Sequence, residues 1–397
     1  MGESRPPLRE LLPALWPRRG RTPLAWRNVT HSRLAMAVST AAVAFAILIV
    51  FMQLGFLNGL YDSQTSLPRA LDADLFLLSR ARHLLVSHEL FPRARLEQAR
   101  ACPGVADVAA LWDEDGLSYV RHPLTGAENG IRVVAFEPRE RVFAAGEIRD
   151  LVPRLEEPLT ALFDRRSRRF FGPIREGTVV EVAGRKVKVV GTFDHGTDFY
   201  YDGTLLTSAD TFFTLFGHLS PRQATLGLVR VASGARVADV KRRLRETLPP
   251  DVDVFDRREV VAREEAAWRK ATPAGYVFGL GVVVGFVIGV IICYQILFTD
   301  ITDHLPQLAT LKALGYAERD LVGVVVRQAL LLGLFGFVPA VLLTSTLYST
   351  LTALTGIVMH LTLGRALFVL ALTAAMALVS SALAVRKALS ADPAELF

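Results

Sequence analysis

The sequence has few cysteines and lacks the short motifs that mark common catalytic sites. Its 397 residues include only two cysteines, Cys102 and Cys293, which lie in regions of different character, so a disulfide framework is not expected. It contains no G-x-x-x-x-G-K-[ST] phosphate loop, no H-E-x-x-H, no C-x-x-C and no G-x-S-x-G. We therefore expect a chain that is not an enzyme and binds no nucleotide or cofactor of its own.

Positive charge is in modest excess and is placed beside an apolar segment. The formal net charge is +6, and residues 1–33 form a basic, amphipathic lead that carries Arg5, Arg9, Arg18, Arg19, Arg21, Arg27 and Arg33. Basic residues next to an apolar run favour the inner leaflet of a membrane and its anionic lipids. We expect the lipid bilayer, and not nucleic acid, as the partner of this charge.

Four apolar segments are long enough to cross a membrane. Hydrophobic residues make up 51% of the chain, and crossing about 30 Å of hydrocarbon takes roughly 20 mostly apolar residues. The segments are 34–60, 275–298, 321–351 and 366–385. Basic flanks stay in the cytoplasm, and Arg386 and Lys387 follow the fourth segment. Four spans therefore place both termini inside.

The segments between the spans complete the expected topology. Residues 61–274 form a large domain outside the cytoplasm, 299–320 a cytoplasmic loop, 352–365 a short outer loop and 386–397 a cytoplasmic tail. Short apolar runs between turn residues predict strands in the large domain. The clearest is a hairpin over 177–193 that turns at Ala183-Gly184-Arg185. With helices predicted over 208–217, 235–249 and 258–276, this domain is α+β.

One loop of this domain collects polar side chains. The stretch FDHGTDFYYDGT holds Asp194, His195, Asp198 and Asp202. Carboxylates and imidazole are metal ligands, so a metal site is conceivable. We favour, by about nine to one over a metal site, a Gly- and Asp-rich loop between strands that carries partner contacts.

Glycines recur at a spacing of four in the first two spans. Gly281, Gly285 and Gly289 share one face of span two, and Gly55 and Gly59 share one face of span one. Such faces let helix backbones approach closely in lipid. Packing between spans one and two and a dimer or sliding interface are about equally favoured.

The cytoplasmic loop contains a short apolar stripe. Leu305, Leu308, Leu311 and Leu314 recur at a spacing of three, and Gly315 suits a helix C-cap. The stripe needs a surface to bury against. A groove on a soluble partner is slightly favoured over the membrane surface.

Five stretches along the chain resemble one family of membrane proteins. They are TPLAWRNVTHSRLAMAV with FMQLGFLNGLYDS, LTALFDRRSRRFFG, GRKVKVVGTFDHGTDFYYDGTLLTS, LPQLATLKALGY and RKALSADPAELF. The chain resembles the FtsX-like, MacB-like permeases of ABC transporters, and within these the DevC type. FMQLGF and FDRRSRRFFG are the stretches more specific for the DevC type.

The resemblance implies a fold and a set of partners. The fold would be the MacB-like (type VII) architecture: an α-helical integral membrane protein with four transmembrane helices, both termini inside, and a large α+β periplasmic domain between helices 1 and 2. ATP and Mg would be bound by a separate ABC ATPase subunit (DevA- or MacB-like). The permease would be a homodimer in the bacterial inner membrane, with a DevB-like periplasmic membrane fusion protein and, through it, a TolC-like outer-membrane channel as partners.

The resemblance also implies residue roles and an activity. The coupling helix to the ATPase would comprise Leu305, Pro306, Gln307, Leu308, Leu311, Lys312, Leu314 and Gly315. Its motion would pass up two stalk helices (mechanotransmission) to drive export of a lipophilic substrate, as in the glycolipid export associated with the DevC type. The alternatives are an FtsX-like signal transducer that activates a periplasmic partner without transport, and a lipoprotein-releasing permease.

The predicted topology is testable by thiol labelling. Counting about 20 residues of 1.5 Å rise from Leu34 places Gln53 near the outer interface and Asn58 beyond it. Cysteines at Asn58 and Ser63 should react with a membrane-impermeant thiol reagent added from the periplasmic side. Reaction only from the cytoplasmic side would reverse the topology.

Overall fold

The computed structural model describes residues 33–87, 89–114, 116, 118–121, 126, 128–271, 273–303 and 318–389. They divide into two compact units. The membrane unit lies within Met1–Phe56, Val277–Tyr348 and His360–Phe397, and the inserted unit comprises Leu57–Tyr276 and Ser349–Met359.

The helices, numbered along the chain, are α1 (Arg33–Gln64), α2 (Ser66–Ala70), α3 (Ala94–Arg100), α4 (Gly146–Leu151), α5 (Ala209–Leu215), α6 (Val237–Thr247), α7 (Arg257–Ala271), α8 (Pro273–Asp303), α9 (Glu318–Thr355) and α10 (Leu363–Leu389). Four of them, α1, α8, α9 and α10, are long and apolar enough to cross a membrane. The predicted class, four membrane-capable helices with an α+β domain inserted after the first, is confirmed.

The strands are β1 (Leu75–Ser79), β2 (Phe91–Pro92), β3 (Val105–Glu114), β4 (Tyr119–Arg121), β5 (Glu128–Gly130), β6 (Arg132–Phe136), β7 (Thr160–Asp164), β8 (Val179–Val182), β9 (Arg185–Phe193), β10 (Thr204–Ser208), β11 (Gln223–Ala224), β12 (Leu226–Val231) and β13 (Val252–Asp256). All but β2 and β11 form an 11-stranded sheet in the order β13-β1-β12-β3-β6-β10-β7-β9-β8-β4-β5.

The central sheet is covered on both faces. Alternate residues of β1 point to opposite faces, so Leu75 and Leu77 join one buried cluster while Phe76 and Leu78 join the other. Strand β6 pairs with β10 in parallel, as β7 does with β9. Burial on both sides explains why β1, β6, β7 and β10 are buried at every position and do not alternate between buried and exposed residues.

Local sequence signals account for several elements. The predicted hairpin is strands β8 and β9, and its turn is the pair Ala183 (φ 49°) and Gly184 (φ 75°), which suits a two-residue hairpin connection. Ser208 caps α5, its Oγ accepting a hydrogen bond from the Thr211 amide at 3.3 Å.

Glycines of α8 receive larger side chains of the neighbouring helices in the membrane unit. A Cβ added at Gly285 would lie 3.1 Å from Val50 Cγ2, and one at Gly281 would collide with the Gln53 side chain, both on α1. At Gly289 it would meet Met376 Sδ of α10 at 2.6 Å. Side chains thus fill the smooth face that the glycines leave.

The glycines of α1 contact residues outside α8. Gly55 faces the ring of Tyr348 on α9, whose hydroxyl donates a hydrogen bond to the Phe51 carbonyl. Within the inserted unit, Gly59 faces Met359 and Ile357. Spans one and two do pack together, but Gln53 and Val50 of α1, and not its glycines, meet Gly281 and Gly285 of α8. A role of these glycines in a dimer stays a prediction.

Burial also refines the labelling experiment. Ser63 is 8% exposed and its hydroxyl donates to the Leu60 carbonyl at 3.0 Å, so a thiol there should react slowly. Asn58 is the more accessible of the two positions.

The packing of α8 yields a matched pair of substitutions. Gly285→Leu should lower the melting temperature of the detergent-solubilised chain or abolish folding, because the new side chain meets Val50 and Ile49. Gly279→Leu should be tolerated, since a Cβ there meets nothing within 4 Å. Equal melting temperatures for the two variants would contradict this packing.

Candidate functional site

The predicted coupling helix, Leu305 to Gly315, lies outside the described residues, and its role stays a prediction. The two helices that flank it, α8 and α9, are connected by a side-chain contact. The Gln328 amide donates a hydrogen bond to the carboxylate of Asp300. The flanking helices are therefore tied together close to the loop.

Within the inserted unit, the described residues form a candidate site at the helices that adjoin the first two spans. The last turns of α1 (from Leu57), α2 and α7 pack together there. Arg69 Nη2 lies 3.5 Å from Glu265 Oε1, and its Nη1 lies 3.9 Å from Asp62 Oδ1. We call α1 from Leu57 onward and α7 the stalk helices. One arginine, Arg69, thus contacts both of them.

Arg257 reinforces this junction at the end of α2. Its guanidinium donates to the carbonyls of Arg69 at 3.0 Å, Leu71 at 2.9 Å and Ala73 at 2.8 Å. Carbonyls at and just beyond a helix C-terminus lack partners within the helix, and a cation there also suits the helix dipole. The start of α7 is therefore bound to the segment that follows α1.

Further along, an aromatic contact joins the same two helices. The guanidinium of Arg269 lies over the ring of Tyr61, 5.7 Å from its centroid. A Cβ added at Gly275 would lie 2.9 Å from the Tyr61 hydroxyl. Tyr61 thus contacts both the end of α7 and the start of α8.

A buried carboxylate holds α7 against the sheet domain. Glu264 is 2% exposed, and it accepts hydrogen bonds from the Leu85 amide at 2.9 Å and the Trp268 indole at 2.7 Å. Burial raises the pKa of Glu264, while these two hydrogen bonds lower it. Sliding α7 would leave buried polar groups without partners, at about 1–3 kcal/mol each.

The polar loop singled out in the sequence is organised by Asp164, at the end of β7. This residue is fully buried. Its carboxylate accepts hydrogen bonds from the amides of His195 at 3.0 Å, Gly196 at 2.8 Å and Arg166 at 3.0 Å. Burial raises the pKa of Asp164, and the three backbone bonds work against that rise. The loop between β9 and β10 is thereby fixed at its first residues.

His195 makes polar contacts with Ser66 of α2 and with Arg132. Its Nε2 lies 3.1 Å from the Ser66 hydroxyl and 3.4 Å from Arg132 Nη2. An arginine can only donate, so Nε2 is the accepting nitrogen of a neutral imidazole. Burial lowers the pKa of His195 to about 3, and the charge of Arg132 adds to this.

Arg132, at the start of β6, links His195 to the remaining part of the loop. Its Nη1 lies 4.0 Å from Asp198 Oδ2, and its guanidinium lies 4.6 Å from the Tyr201 ring centroid. Asp198 also accepts hydrogen bonds from the amides of Tyr200 and Tyr201. Burial raises the pKa of Asp198 and Arg132 lowers it.

The four candidate ligands of the loop therefore do not converge. The structure brings His195 and Asp198 together on Arg132, while Asp194 pairs with Arg165 at 3.0 Å and Asp202 with Arg168 at 2.9 Å. Among the described residues, no group of three or more His, Cys, Asp and Glu is placed to hold a metal ion.

Sequence reasoning missed the residues that hold this loop. Asp164, Arg132 and Ser66 were not singled out, because each lies 31 to 129 positions from the His195 group that it contacts. The only local signal was the acidic residue that ends the buried apolar strand β7. A charge there needs partners from elsewhere in the fold.

Two family models match the chain. The model of the MacB-like periplasmic core domain matches residues 36–247, which is more than half of the chain, and that of the FtsX-like permease C-terminal matches residues 279–393. A search of curated proteins finds no match.

Solved structures of extramembrane domains are also similar to this chain. The extracellular domain of the noncanonic ABC-type transporter YknZ from Gram-positive bacteria is 13% identical over 46% of this chain and 99% of its own, with a TM-score of 0.32. The periplasmic region of MacB from Actinobacillus actinomycetemcomitans is 10% identical over 48% and 92%, with a TM-score of 0.35. A domain of a putative permease from Porphyromonas gingivalis is 14% identical over 48% and 88%, with a TM-score of 0.29.

The lowered pKa of His195 makes stability depend on pH. Because the pKa of His195 is about 3 when folded and 6.5 when unfolded, the unfolded chain binds the proton first as pH falls below 6.5. This group should therefore remove about 2 kcal/mol of stability between pH 7 and pH 5.

His195→Gln is the matched variant, since an amide keeps hydrogen bonding without titrating. Unfolding by urea, followed by the fluorescence of Trp112 and Trp268, should show a smaller loss on acidification in this variant. The same loss in both proteins would contradict the assignment of a buried, neutral imidazole.

Proposed function

Because the chain belongs to the FtsX/MacB-like family of ABC-transporter permeases, we propose that it transmits the ATP-driven motion of a separate ATPase to its periplasmic domain. The chain is a multi-pass membrane protein, and its family implies an ABC ATPase as partner. We also propose that the protein lies in the bacterial inner membrane. ATP and Mg would be bound by the partner and not by this chain.

The observation that carries the proposal is the course of α1. This helix runs without interruption from Arg33 to Gln64, so the first span and the first stalk helix are one element. Its outer turns contact α7 through Asp62–Arg69–Glu265 and Tyr61–Arg269. A displacement of the first span would therefore reach the sheet domain together with α7.

The second stalk helix supports the same route. α7 is held on the sheet domain by the buried Glu264, and α8 begins at Pro273, two residues after α7 ends. Proline is well suited to the first turn of a helix. Spans one and two would thus both act on the periplasmic domain.

A homodimer fits the outer face of α8. On the side away from its packed glycines, this helix exposes a row of apolar side chains: Leu280, Val283, Val284, Val287 and Ile291. Their spacing of three and four places them on one face. In a bilayer that face is available both to lipid and to a second copy, and close packing of helices is what drives association there.

We propose efflux as the process that this motion serves. A periplasmic membrane fusion protein would receive the movement of the periplasmic domain, with a TolC-like channel beyond it and a lipophilic molecule such as a glycolipid as cargo. In the part of the chain that the structure describes, no feature favours FtsX-like signalling or lipoprotein release over this function.

The coupling helix is the point at which the proposal is tested. Leu308→Asp with Leu311→Asp should reduce the ATPase that co-purifies with the chain at least tenfold, because two charges replace the apolar stripe. Insertion into the membrane should be unchanged.

Thr310→Asp is the matched control, since it adds a charge to the same segment away from the leucine spacing. It should retain the partner. Survival of the complex in the double leucine variant would show that the coupling assignment is wrong.

A further inference from the structure

The segment between spans three and four is held by the inserted unit. Helix α9 ends at Thr355 and α10 begins at Leu363, so seven residues connect them. Residues Ser349–Met359 belong to the inserted unit. We call Thr355–Met359 the strap.

Thr197, in the loop held by Asp164, binds the strap through its backbone and side chain. Its amide donates to the Gly356 carbonyl at 3.3 Å, and its hydroxyl donates to the Thr355 carbonyl at 3.2 Å. Thr197 and Ile357 also form an isolated parallel β-bridge. Thr197 is 3% exposed, so these bonds are shielded from water.

Two glycines allow the backbones to approach this closely. Gly356 has φ 77°, and an added Cβ would lie 2.6 Å from both the Arg166 carbonyl oxygen and Thr197 Oγ1. Gly196 has φ 105°, and a Cβ added there would lie 3.0 Å from Val358 Cγ2. Any other residue would be strained at both positions by conformation and by contact.

The other side of the strap rests on the first stalk helix. A Cβ at Gly59 would lie 3.6 Å from Met359 Cγ and 3.7 Å from Ile357 Cγ2, which is ordinary contact distance. Ile357 and Met359 are each 7% exposed. The strap is therefore packed between the Asp164-held loop and α1.

The connection to the spans is short on both sides. On one side the strap begins at the last residue of α9, and on the other only three residues separate Met359 from Leu363. A stretched chain covers at most about 3.3–3.6 Å per residue. The outer ends of spans three and four therefore have little freedom to move without pulling on the strap.

We propose that the strap is a third mechanical attachment of the periplasmic domain, which stays closed throughout the ATP cycle. Through Thr197 and Gly356, spans three and four act on the same loop that His195 connects to Ser66 of α2, the helix that directly follows the first stalk helix. The attachment follows from the contacts alone, and its part in transmission rests on the proposed function.

A disulfide across the β-bridge tests the attachment without any partner. Thr197→Cys with Ile357→Cys, in a chain with Cys102→Ala and Cys293→Ala, should crosslink in most molecules under mild oxidation in native membranes. Peptide mass spectrometry reads the yield. The control pair Thr197→Cys with Leu354→Cys should give less than a tenth of this crosslinking yield, because Leu354 is 58% exposed. Equal yields for the two pairs would overturn the attachment.

A glycine variant adds a structural control. Gly356→Ala, placed in the crosslinking chain, should lower the yield at least threefold. Gly364→Ala should not, since a Cβ there meets nothing within 4 Å. An unchanged yield with Gly356→Ala would contradict the close approach.

The complex with the ATPase then tests transmission. The crosslink should form equally with and without ATP. The complex that contains the crosslinked chain should keep most of the ATP hydrolysis of the reduced protein. A loss of at least fivefold, restored by reductant, would show that the strap must open and would overturn the proposal. If the unmodified chain recruits no ATPase, the proposed function fails and transmission with it, whereas the attachment is still decided by the crosslink.

Discussion

One buried carboxylate organises the base of the inserted domain. Asp164 accepts hydrogen bonds from three backbone amides, two of them at the start of the loop between β9 and β10. Without it those amides would be left unpaired at a cost of about 1–3 kcal/mol each. Asp164 thus fixes the backbone at His195 and Gly196, and the loop residues His195, Thr197 and Asp198 contact Ser66, Gly356 and Arg132.

The loop is thereby a meeting point of segments that lead to different spans. Ser66 follows α1, Thr355 ends α9, and Tyr200 lies against Trp268 of α7 with ring centroids 6.5 Å apart. Buried ionic groups are poor sources of net stability but are costly to disturb. Such an arrangement suits a part that has to keep its geometry while the elements attached to it are displaced. That property suits the transmission that we propose.

The large features could be predicted from sequence because they depend on local pattern. Apolar length predicted four spans, β-branched runs around Ala183-Gly184 predicted the hairpin, and glycine spacing predicted close helix packing. Which helix each glycine meets was not predictable. Gly55 contacts Tyr348, which is nearly 300 positions away, and spacing along one helix says nothing about its partner. The Asp164 cluster was missed for the same reason, since its members are polar residues brought together only by the fold of the sheet.

The most direct test of this account is hydrogen exchange across Asp194–Tyr201 in the membrane-embedded chain. We expect the amides of His195, Gly196 and Thr197 to exchange as slowly as those of the neighbouring strand β9, because each is bonded to Asp164 or Gly356. Exchange at the rate of an unstructured peptide would show that the loop is free. It would then hold neither Ser66 nor the strap, and the proposed attachment would be wrong.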